Sequence, residues 1–544
     1  MIWDYIANNE LQQYIGLDIL ENLRQIIPTV TSTNYEDFNI NKKEVLVKVI
    51  NAFLGNQFFH KKKNLTDLLF RIPEEIINKC ISSIFNGDIT KPFDEKIELI
   101  ANKWNDIQYN QKLLEWAGLP LDYRKEEKKE DNSVIKIDVP KHPYKTLKDY
   151  QMTVYIQADD KLQYPNSHFM VQMPTGSGKT RTAMEIVTNY INIQEKDVIV
   201  LWLAHSSDLC DQAEECFEEI WEHVAKKELT IYKCWGSNDL PLIIEGNAFI
   251  VGGFQKLYSL LQKNENVYKD IKEKIGLIII DEAHKVIAPT YSEVVRSLSN
   301  INTKIIGLTA TPGRNAEDLY GNKELSEYFH NTNISIDTRN QSVSVIEFLR
   351  KKKVLSNLII DQIITPTKYE LTAKEKTYIE TKFDFPPGFL KKLEDDNIRN
   401  IEILKKLEKE CKEQHQIIFF ACSVEHSKFI CSMLIYLGIN ATHVDGSTDN
   451  ETRINIIKEF RKNNIQVICN YGVLSTGFDA PKIDVVCIAR PTTSIVLYSQ
   501  MIGRGLRGIA IGGTEECKLI NVRDNIINLP DYKRIFDYFE EYWN

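Results

Sequence analysis

One short run constrains this chain more than any other. Residues 172–180 read Gln-Met-Pro-Thr-Gly-Ser-Gly-Lys-Thr, at the end of the apolar stretch Phe169–Met173 and at the start of a helical pattern. Glycines let backbone N–H groups turn toward an anion with no Cβ in the way. The N-terminus of the following helix adds a partial positive charge. A strand, a tight glycine loop and a helix in that order predict a phosphate cradle formed by Pro174, Thr175, Gly176, Ser177 and Gly178. Lys179 would reach the β- and γ-phosphates, and the Thr180 hydroxyl would hold Mg²⁺. The strict form of the pattern has glycine where this chain has Met173.

Downstream, Leu277-Ile-Ile-Ile-Asp-Glu-Ala-His284 is an apolar strand pattern ending in two adjacent carboxylates. Side chains alternate along a strand, so Asp281 and Glu282 point apart and can divide the work. Asp281 is predicted to hold Mg²⁺, and Glu282 to polarise an attacking water as general base. A strand ending in Asp-Glu is common by itself; following a phosphate loop, it becomes the second half of one site.

Length and composition bound what surrounds these residues. At roughly 150 residues per domain, 544 residues suggest about three to four domains. Hydrophobic residues at 43% and charged residues at 26% exclude a wholly disordered or fibrous chain. The 67 basic and 76 acidic residues leave a net charge of −9, which excludes a basic nucleic-acid coat but leaves room for a local basic groove. Residues 1–120 read as a helical accessory domain, and 121–144, with the run Arg-Lys-Glu-Glu-Lys-Lys-Glu-Asp at 124–131, as a charged linker. Residues 145–335 alternate helical patterns with the strand candidates Phe169–Met173, Val198–Ala204, Ile231–Trp235, Ala248–Val251, Leu277–Ile280 and Ile305–Leu308. The rhythm returns over 336–530, with Ile417–Ala421, Thr442–Val444, Val467–Asn470 and Val485–Ile488. Alternation of this kind predicts two α/β domains with parallel sheets. The tail 531–544 carries Tyr532, Ile535, Phe536, Phe539 and Trp543 at helical spacing. Ten cysteines without a CxxC pair read as reduced core thiols. The first residues lack a secretory pattern and no run is long enough to span a membrane, so the cytoplasm is the expected compartment.

Taken together, the motifs resemble the superfamily 2 DEAD/DEAH-like helicases over roughly residues 145–525. That resemblance implies two tandem RecA-like domains with ATP and Mg²⁺ in the cleft between them. Leu147-Lys-Asp-Tyr-Gln151 is similar to the adenine-reading segment, with Gln151 as the adenine contact and Lys148 where these families often have arginine. Leu203–Gln212 and Gly252-Gly-Phe-Gln255 resemble strand-contacting motifs, implying nucleic-acid contacts at Ser206, Gln212, Gly253 and Gln255. Thr309-Ala-Thr311 resembles the motif that couples nucleotide to strand. Ile417–Ser423 is similar to the fourth motif, with Ser423 as a contact, and His443-Val-Asp-Gly446 followed by Arg453 is its usual companion. Ser475-Thr-Gly-Phe-Asp479 implies strand contacts at Ser475 and Thr476 and nucleotide contacts at Gly477 and Asp479. Gln500-Met-Ile-Gly-Arg-Gly-Leu-Arg507 resembles the arginine-finger motif, with Gln500 near the γ-phosphate and Arg504 and Arg507 as fingers. A guanidinium stabilises the negative charge of phosphoryl transfer in a water-poor cleft.

The DEAH run, Gly477-Phe-Asp479 and Gly503-Arg-Gly-Leu-Arg507 look more like restriction-enzyme-type and DNA-repair helicases than RNA helicases. The resemblance therefore implies ATP-driven DNA unwinding or translocation, duplex or forked DNA as partner, and a nuclease or other defence or repair subunit docking on residues 1–120. A nucleotide-gated clamp without processive motion, or an RNA helicase, uses the same motifs. Ser206, Ser475 and Thr476 serve equally well as caps and turns. Lys61–Lys63 and Lys351–Lys353 read either as phosphate contacts or as solvated faces, and Phe93–Glu98 carries only a loose nuclease-like mixture of charges.

Overall fold

Every strand candidate coincides with a strand to within two residues, because short apolar runs bounded by turns have few other ways to be buried. The structure is a computed structural model. It describes residues 2–22, 42–55, 57–119, 123, 134–135, 144–241, 243–263, 269–311, 319–338, 343–382, 384–474 and 482–527. The tail 531–544 and most of 121–144 lie outside the described residues.

The first sheet contains β1 (Val134–Ile135), β2 (His168–Gln172), β3 (Ile199–Ala204), β4 (Thr230–Cys234), β5 (Ala248–Gly253), β6 (Ile275–Asp281), β7 (Lys304–Thr309) and β8 (Asn333–Ser335). Their order is β1-β4-β5-β3-β6-β7-β2-β8. All neighbours are parallel except β1, which pairs antiparallel with β4 through Val134 opposite Tyr232. The second sheet contains β9 (Asn357–Glu370), β10 (Ile417–Phe420), β11 (Ala441–Val444), β12 (Val467–Asn470), β13 (Val485–Ile488) and β14 (Glu516–Ile527). Its order is β11-β12-β10-β13-β14-β9, parallel throughout. The stretch read as a linker thus contributes an edge strand, β1, to the first sheet.

Alternation along the strands sorts their side chains into layers. Val200, Trp202, Leu277, Ile279 and Ile306 of the first sheet share one apolar cluster with Ile418, Phe420, Ile468 and Val486 of the second. The intervening residues Ile199, Leu201, Ile278 and Ile280 face a separate cluster under the helices Phe254–Lys263 and Pro289–Leu298. On the second sheet, Ile417, Phe419, Cys469 and Cys487 face the opposite way, into a core shared with the N-terminal helices.

That last core shows where the N-terminal helical region belongs. Trp3, Phe58, Phe59 and Trp104 are buried in the same cluster as the outer face of the second sheet. Helix Lys43–Leu54 lies against helix Val424–Tyr436 and edge strand β11. The Thr442 hydroxyl donates to the Ala52 carbonyl at 3.1 Å, and Gln57 Nε2 donates to the Ser447 carbonyl at 2.8 Å. Covering an edge strand in this way removes a row of unpaired backbone groups from solvent.

Helix Phe93–Lys103 follows Pro92 and has Asp94 and Glu95 in its first turn and Lys103 in its last, all favourable to the helix dipole. Its Lys96 is only 2% exposed. The ammonium donates to Glu74 Oε1 at 2.6 Å, Asn78 Oδ1 at 2.8 Å and the Ile89 carbonyl at 3.2 Å, so Lys96 is a satisfied buried cation while Asp94, Glu95 and Glu98 are exposed. All ten cysteines are free and nine are buried.

Candidate nucleotide and nucleic-acid site

The loop after β2 runs into helix Lys179–Ile193. Gly176 and Gly178 sit at φ of +83° and +85°, a region that side chains strongly disfavour. A Cβ on Gly178 would also come within 2.3 Å of Gln151 Nε2. Ser177 closes the turn by donating to the Pro174 carbonyl at 2.7 Å, and the Tyr150 hydroxyl donates to the Ser177 carbonyl at 2.8 Å. Gln151 Nε2 reaches the Ser177 and Gly178 carbonyls at 3.4 Å, while its Oε1 accepts from the Lys148 amide at 2.9 Å. Gln151 therefore braces the phosphate loop and caps its own helix. Met173 is fully buried in the core, and its amide donates to the Thr309 carbonyl at 3.0 Å. Departure from glycine there is a packing feature that leaves the cradle intact.

Asp281 and Glu282 stand at the carboxyl end of β6, beside that loop. Lys179 Nζ lies 3.3 Å from Glu282 Oε1 and 3.4 Å from Asp281 Oδ1. Burial opposes the charge on all three groups. For Lys179 the two carboxylates outweigh burial and raise its pKa. For Glu282, Lys179, His284, His205 and Lys285 outweigh burial and hold the carboxyl below its usual range. For Asp281 burial prevails over Lys179, and its pKa is raised. Glu282 itself has φ of +53°, a conformation that is uncommon for a non-glycine residue and that recurs at functional sites.

The second domain supplies cations to the same place. Helix Ile495–Ile502 carries Gln500, and the turn beyond it carries Arg504 and Arg507. All three line one cleft with residues 174–180, Asp281 and Glu282. Burial pushes Arg504 down to about 10, against the pull of Glu282. Burial also pushes Arg507 down to about 10, with Arg461 acting in the same direction. Both remain cationic at neutral pH, in surroundings that favour an added anion. Approach is close: a Cβ on Gly503 would fall 2.3 Å from Thr175 Cγ2. The cleft measures about 2010 Å³, ample for a nucleoside triphosphate. Thr180 and Asp281, which line it, are hard oxygen donors of the kind Mg²⁺ takes together with phosphates. The residues present fit both the nucleotide and the metal.

The remaining sequence-derived positions divide into distinct groups. Thr309 is buried, and its hydroxyl donates to the Thr311 carbonyl at 2.6 Å, making a tight turn at the end of β7. Ser206 is the N-cap position of helix Ser207–Val224, and its Oγ is buried without a hydrogen-bond partner. Gln212, farther along that helix, opens on the cleft between the domains. Gly253 ends β5, and Gln255 borders a separate cavity of about 650 Å³ with Tyr258, Lys285 and Tyr291. Ser423 accepts from the His426 amide at 3.0 Å and donates to Glu394, so its hydroxyl is occupied as a helix cap. Ser475, Thr476, Gly477 and Asp479 lie outside the described residues. Within the lysine runs, Lys62 pairs with Glu98 at 3.2 Å, Lys351 with Glu347 at 2.8 Å, Lys352 with Asp149 and Lys353 with Glu515 at 3.7 Å, all at the surface.

One inter-domain contact was illegible in the sequence. Arg453 Nη1 meets Asp208 Oδ2 at 2.7 Å and Oδ1 at 3.0 Å, joining the second domain to the helix that begins beside Ser206. The partners are 245 residues apart, and no local pattern couples them.

Comparison with known proteins gives this geometry a family. Residues 144–314 match the family described as Type III restriction enzyme, res subunit, and residues 399–508 match the helicase conserved C-terminal domain. The chain is 27% identical over 374 residues to the Saccharomyces cerevisiae protein IRC3, which is named as an ATP-dependent helicase. That alignment covers 66% of this chain and 49% of the yeast protein, so the chain spans about half of that relative's length. It is 28% identical over 380 residues to a 51.5 kDa protein of a Lactococcus phage, covering 69% of this chain and 70% of the phage protein. Among solved structures, the DNA-bound ATP-dependent Type ISP restriction-modification enzyme LlaBIII superposes with a TM-score of 0.49 at 16% identity, over 74% of this chain and 29% of that one. Among the described residues, no helix is long and apolar enough to cross a membrane.

Proposed function

The chain belongs to the superfamily 2 helicases, and from that premise we propose that it is an ATP-dependent DNA helicase or translocase of the restriction-enzyme and DNA-repair type. The observation that carries this reading is the convergence, in one cleft, of the phosphate loop, Asp281 and Glu282 from the first domain with Gln500, Arg504 and Arg507 from the second.

Each side chain then has a task. Backbone N–H groups of residues 176–179 cradle the β-phosphate, and Gln151 stiffens that cradle from behind. Lys179 leaves the two carboxylates and moves onto phosphate oxygens, exchanging one set of anions for another. Thr180 and Asp281 would hold Mg²⁺, which would supply charge neutralisation on the phosphates. Glu282, freed of Lys179, takes the proton of the attacking water. Arg504 and Arg507 meet the charge that develops on the γ-phosphoryl group, and Gln500 lies beside them. Because the guanidinium groups come from the second domain, hydrolysis requires closure of the cleft. A strand lying across both domains near Ser206 and Gln255 can favour closure, and each closure can shift it. The restriction-type match over 144–314 favours DNA as the track.

Steady-state ATP hydrolysis with Mg²⁺ tests this, measured alone and with single-stranded, duplex and forked DNA and with RNA, using Lys179→Ala as blank. Stimulation by DNA is the expected result. Stimulation by RNA alone would replace the track. Turnover indifferent to every polymer would replace the motor with a nucleotide-gated clamp.

A further inference from the structure

His205 follows directly on β3, and none of the roles above uses it. Strands β3 and β6 pair with Leu203 opposite Ile280. His205 and Glu282 are the residues that follow the ends of these two paired strands, and each acts electrostatically on the other. On the other flank, β6 and β7 pair with Asp281 opposite Leu308, and Thr309 ends β7. The Thr309 hydroxyl is committed to the Thr311 carbonyl at 2.6 Å. The Nδ1 of His205, in contrast, is buried without a hydrogen-bond partner. A buried polar atom left unpaired in one state of a site calls for an explanation, and a partner acquired in another state is one.

Such a partner comes into being during turnover. In the structure Glu282 faces Lys179 at 3.3 Å through Oε1 and His284 Nδ1 at 3.4 Å through Oε2. Once Lys179 moves to phosphate, the carboxylate keeps only the long His284 contact, and a further donor would fix the orientation of Oε1. Burial keeps the imidazole neutral, lowering its pKa to about 4, with Lys285, His284 and Lys179 acting in the same direction against Glu282. A neutral imidazole still offers one N–H. On its other side His205 adjoins Ser206, the N-cap position with a buried, unpartnered Oγ, and Asp208, which grips Arg453 of the second domain at 2.7 Å. Residues 205–208 thus link the neighbourhood of the hydrolytic carboxylate, the second domain and the surface read as strand-contacting.

We propose that His205 is a positioning residue: its Nδ1–H holds Glu282 in the hydrolytic orientation after Lys179 has left, and so makes hydrolysis depend on the state of the strand-contacting loop. The proposal rests on the reading of Glu282 as general base. It requires no net proton transfer to or from the ring.

Three variants test it in the full chain, read by ATP hydrolysis at saturating duplex DNA, by KM for ATP and by DNA affinity. Asn places an amide donor near the position of Nδ1, Gln one near that of Nε2, and Ala removes both. His205→Ala is expected to lower kcat at least about 10-fold with KM for ATP and DNA affinity within about twofold, the pattern of a lost transition-state interaction. His205→Asn should regain most of that loss and His205→Gln little of it. Unchanged kcat in His205→Ala overturns the proposal. Equal losses in all three variants, with KM or DNA affinity moving alongside, also overturn it and leave a packing role. Glu282→Gln is the separate control: wild-type hydrolysis in that variant would overturn the general-base reading itself, whatever the His205 variants do.

Discussion

Each of the two α/β domains buries an ion pair, and the two pairs are built to opposite ends. In the second domain, Arg399 Nε meets Asp524 Oδ1 at 2.7 Å and Nη2 meets Oδ2 at 3.0 Å, with side chains 0% and 1% exposed. Nη2 also donates to the Ala489 carbonyl, and the Thr365 hydroxyl donates to Asp524 Oδ1 at 3.2 Å. Helix Asn397–Lys412 is thereby tied to β13 and β14 by a planar fork that fits a carboxylate. Burial opposes the Arg399 charge, but Asp524 outweighs it and raises its pKa. In the first domain, one ammonium is shared between two carboxylates at 3.3 and 3.4 Å, beside an open cleft and on a backbone at positive φ. The Arg399 pair is short, two-pronged and enclosed, which suits a permanent brace. The Lys179 cluster is long, shared and one charge short of neutrality, which suits a group that must let go.

The largest effect that separates the two is on turnover. Lys179→Met should lower ATP hydrolysis by at least about 10³-fold, while the melting temperature falls less than in Arg399→Met, because Asp281 and Glu282 border an open cleft where water and protons can reach them. A fall as large as that of Arg399→Met would make the Lys179 cluster structural and erase the contrast. Next, Arg399→Met should cost about 3–5 kcal/mol in urea unfolding, because it leaves Asp524 buried and unpaired. Replacing both partners with apolar residues should recover much of that loss. A loss below about 1 kcal/mol for the single variant would show that Asp524 finds another partner. The Arg453–Asp208 bridge should fall between the two types. Its side chains are 14% and 26% exposed, and a double-mutant cycle on Asp208→Asn and Arg453→Gln should give a coupling of about 1 kcal/mol. Smallest of all, Asp149→Asn, which removes the surface partner of Lys352, should change stability by less than about 0.5 kcal/mol, and a larger change would mean that this inter-domain pair helps to hold the cleft.

The candidate nucleotide site was largely legible in the sequence as a set of residues, because its parts are local. A strand, a glycine loop and a helix form the cradle within nine residues, and a strand end presents Asp281 and Glu282 side by side. The strands that escaped notice are those whose pattern depends on partners. Strand β9 is a 14-residue edge strand that contains Pro366, tolerable there because one side of an edge strand needs no ladder bond. Strand β14 shifts register against it between Arg523 and Asn525. Strand β1 has two residues and exists because β4 offers an edge. Gln151 was read as an adenine contact, yet its amide also engages the Ser177 and Gly178 carbonyls, a bond visible only once helix and loop are brought together.

The sequence by itself determined the loop, the strand-end carboxylates and the parallel α/β character of both domains, since glycine loops, apolar runs and adjacent carboxylates act over a few residues. Tertiary structure alone decided that the N-terminal helices cap the outer face and the β11 edge of the second sheet, that Asp208 grips Arg453 across 245 residues of chain, and that His205 and Glu282 follow the ends of two paired strands. Burial and strand register between distant segments are collective quantities: each depends on which surfaces remain uncovered after every other element has packed.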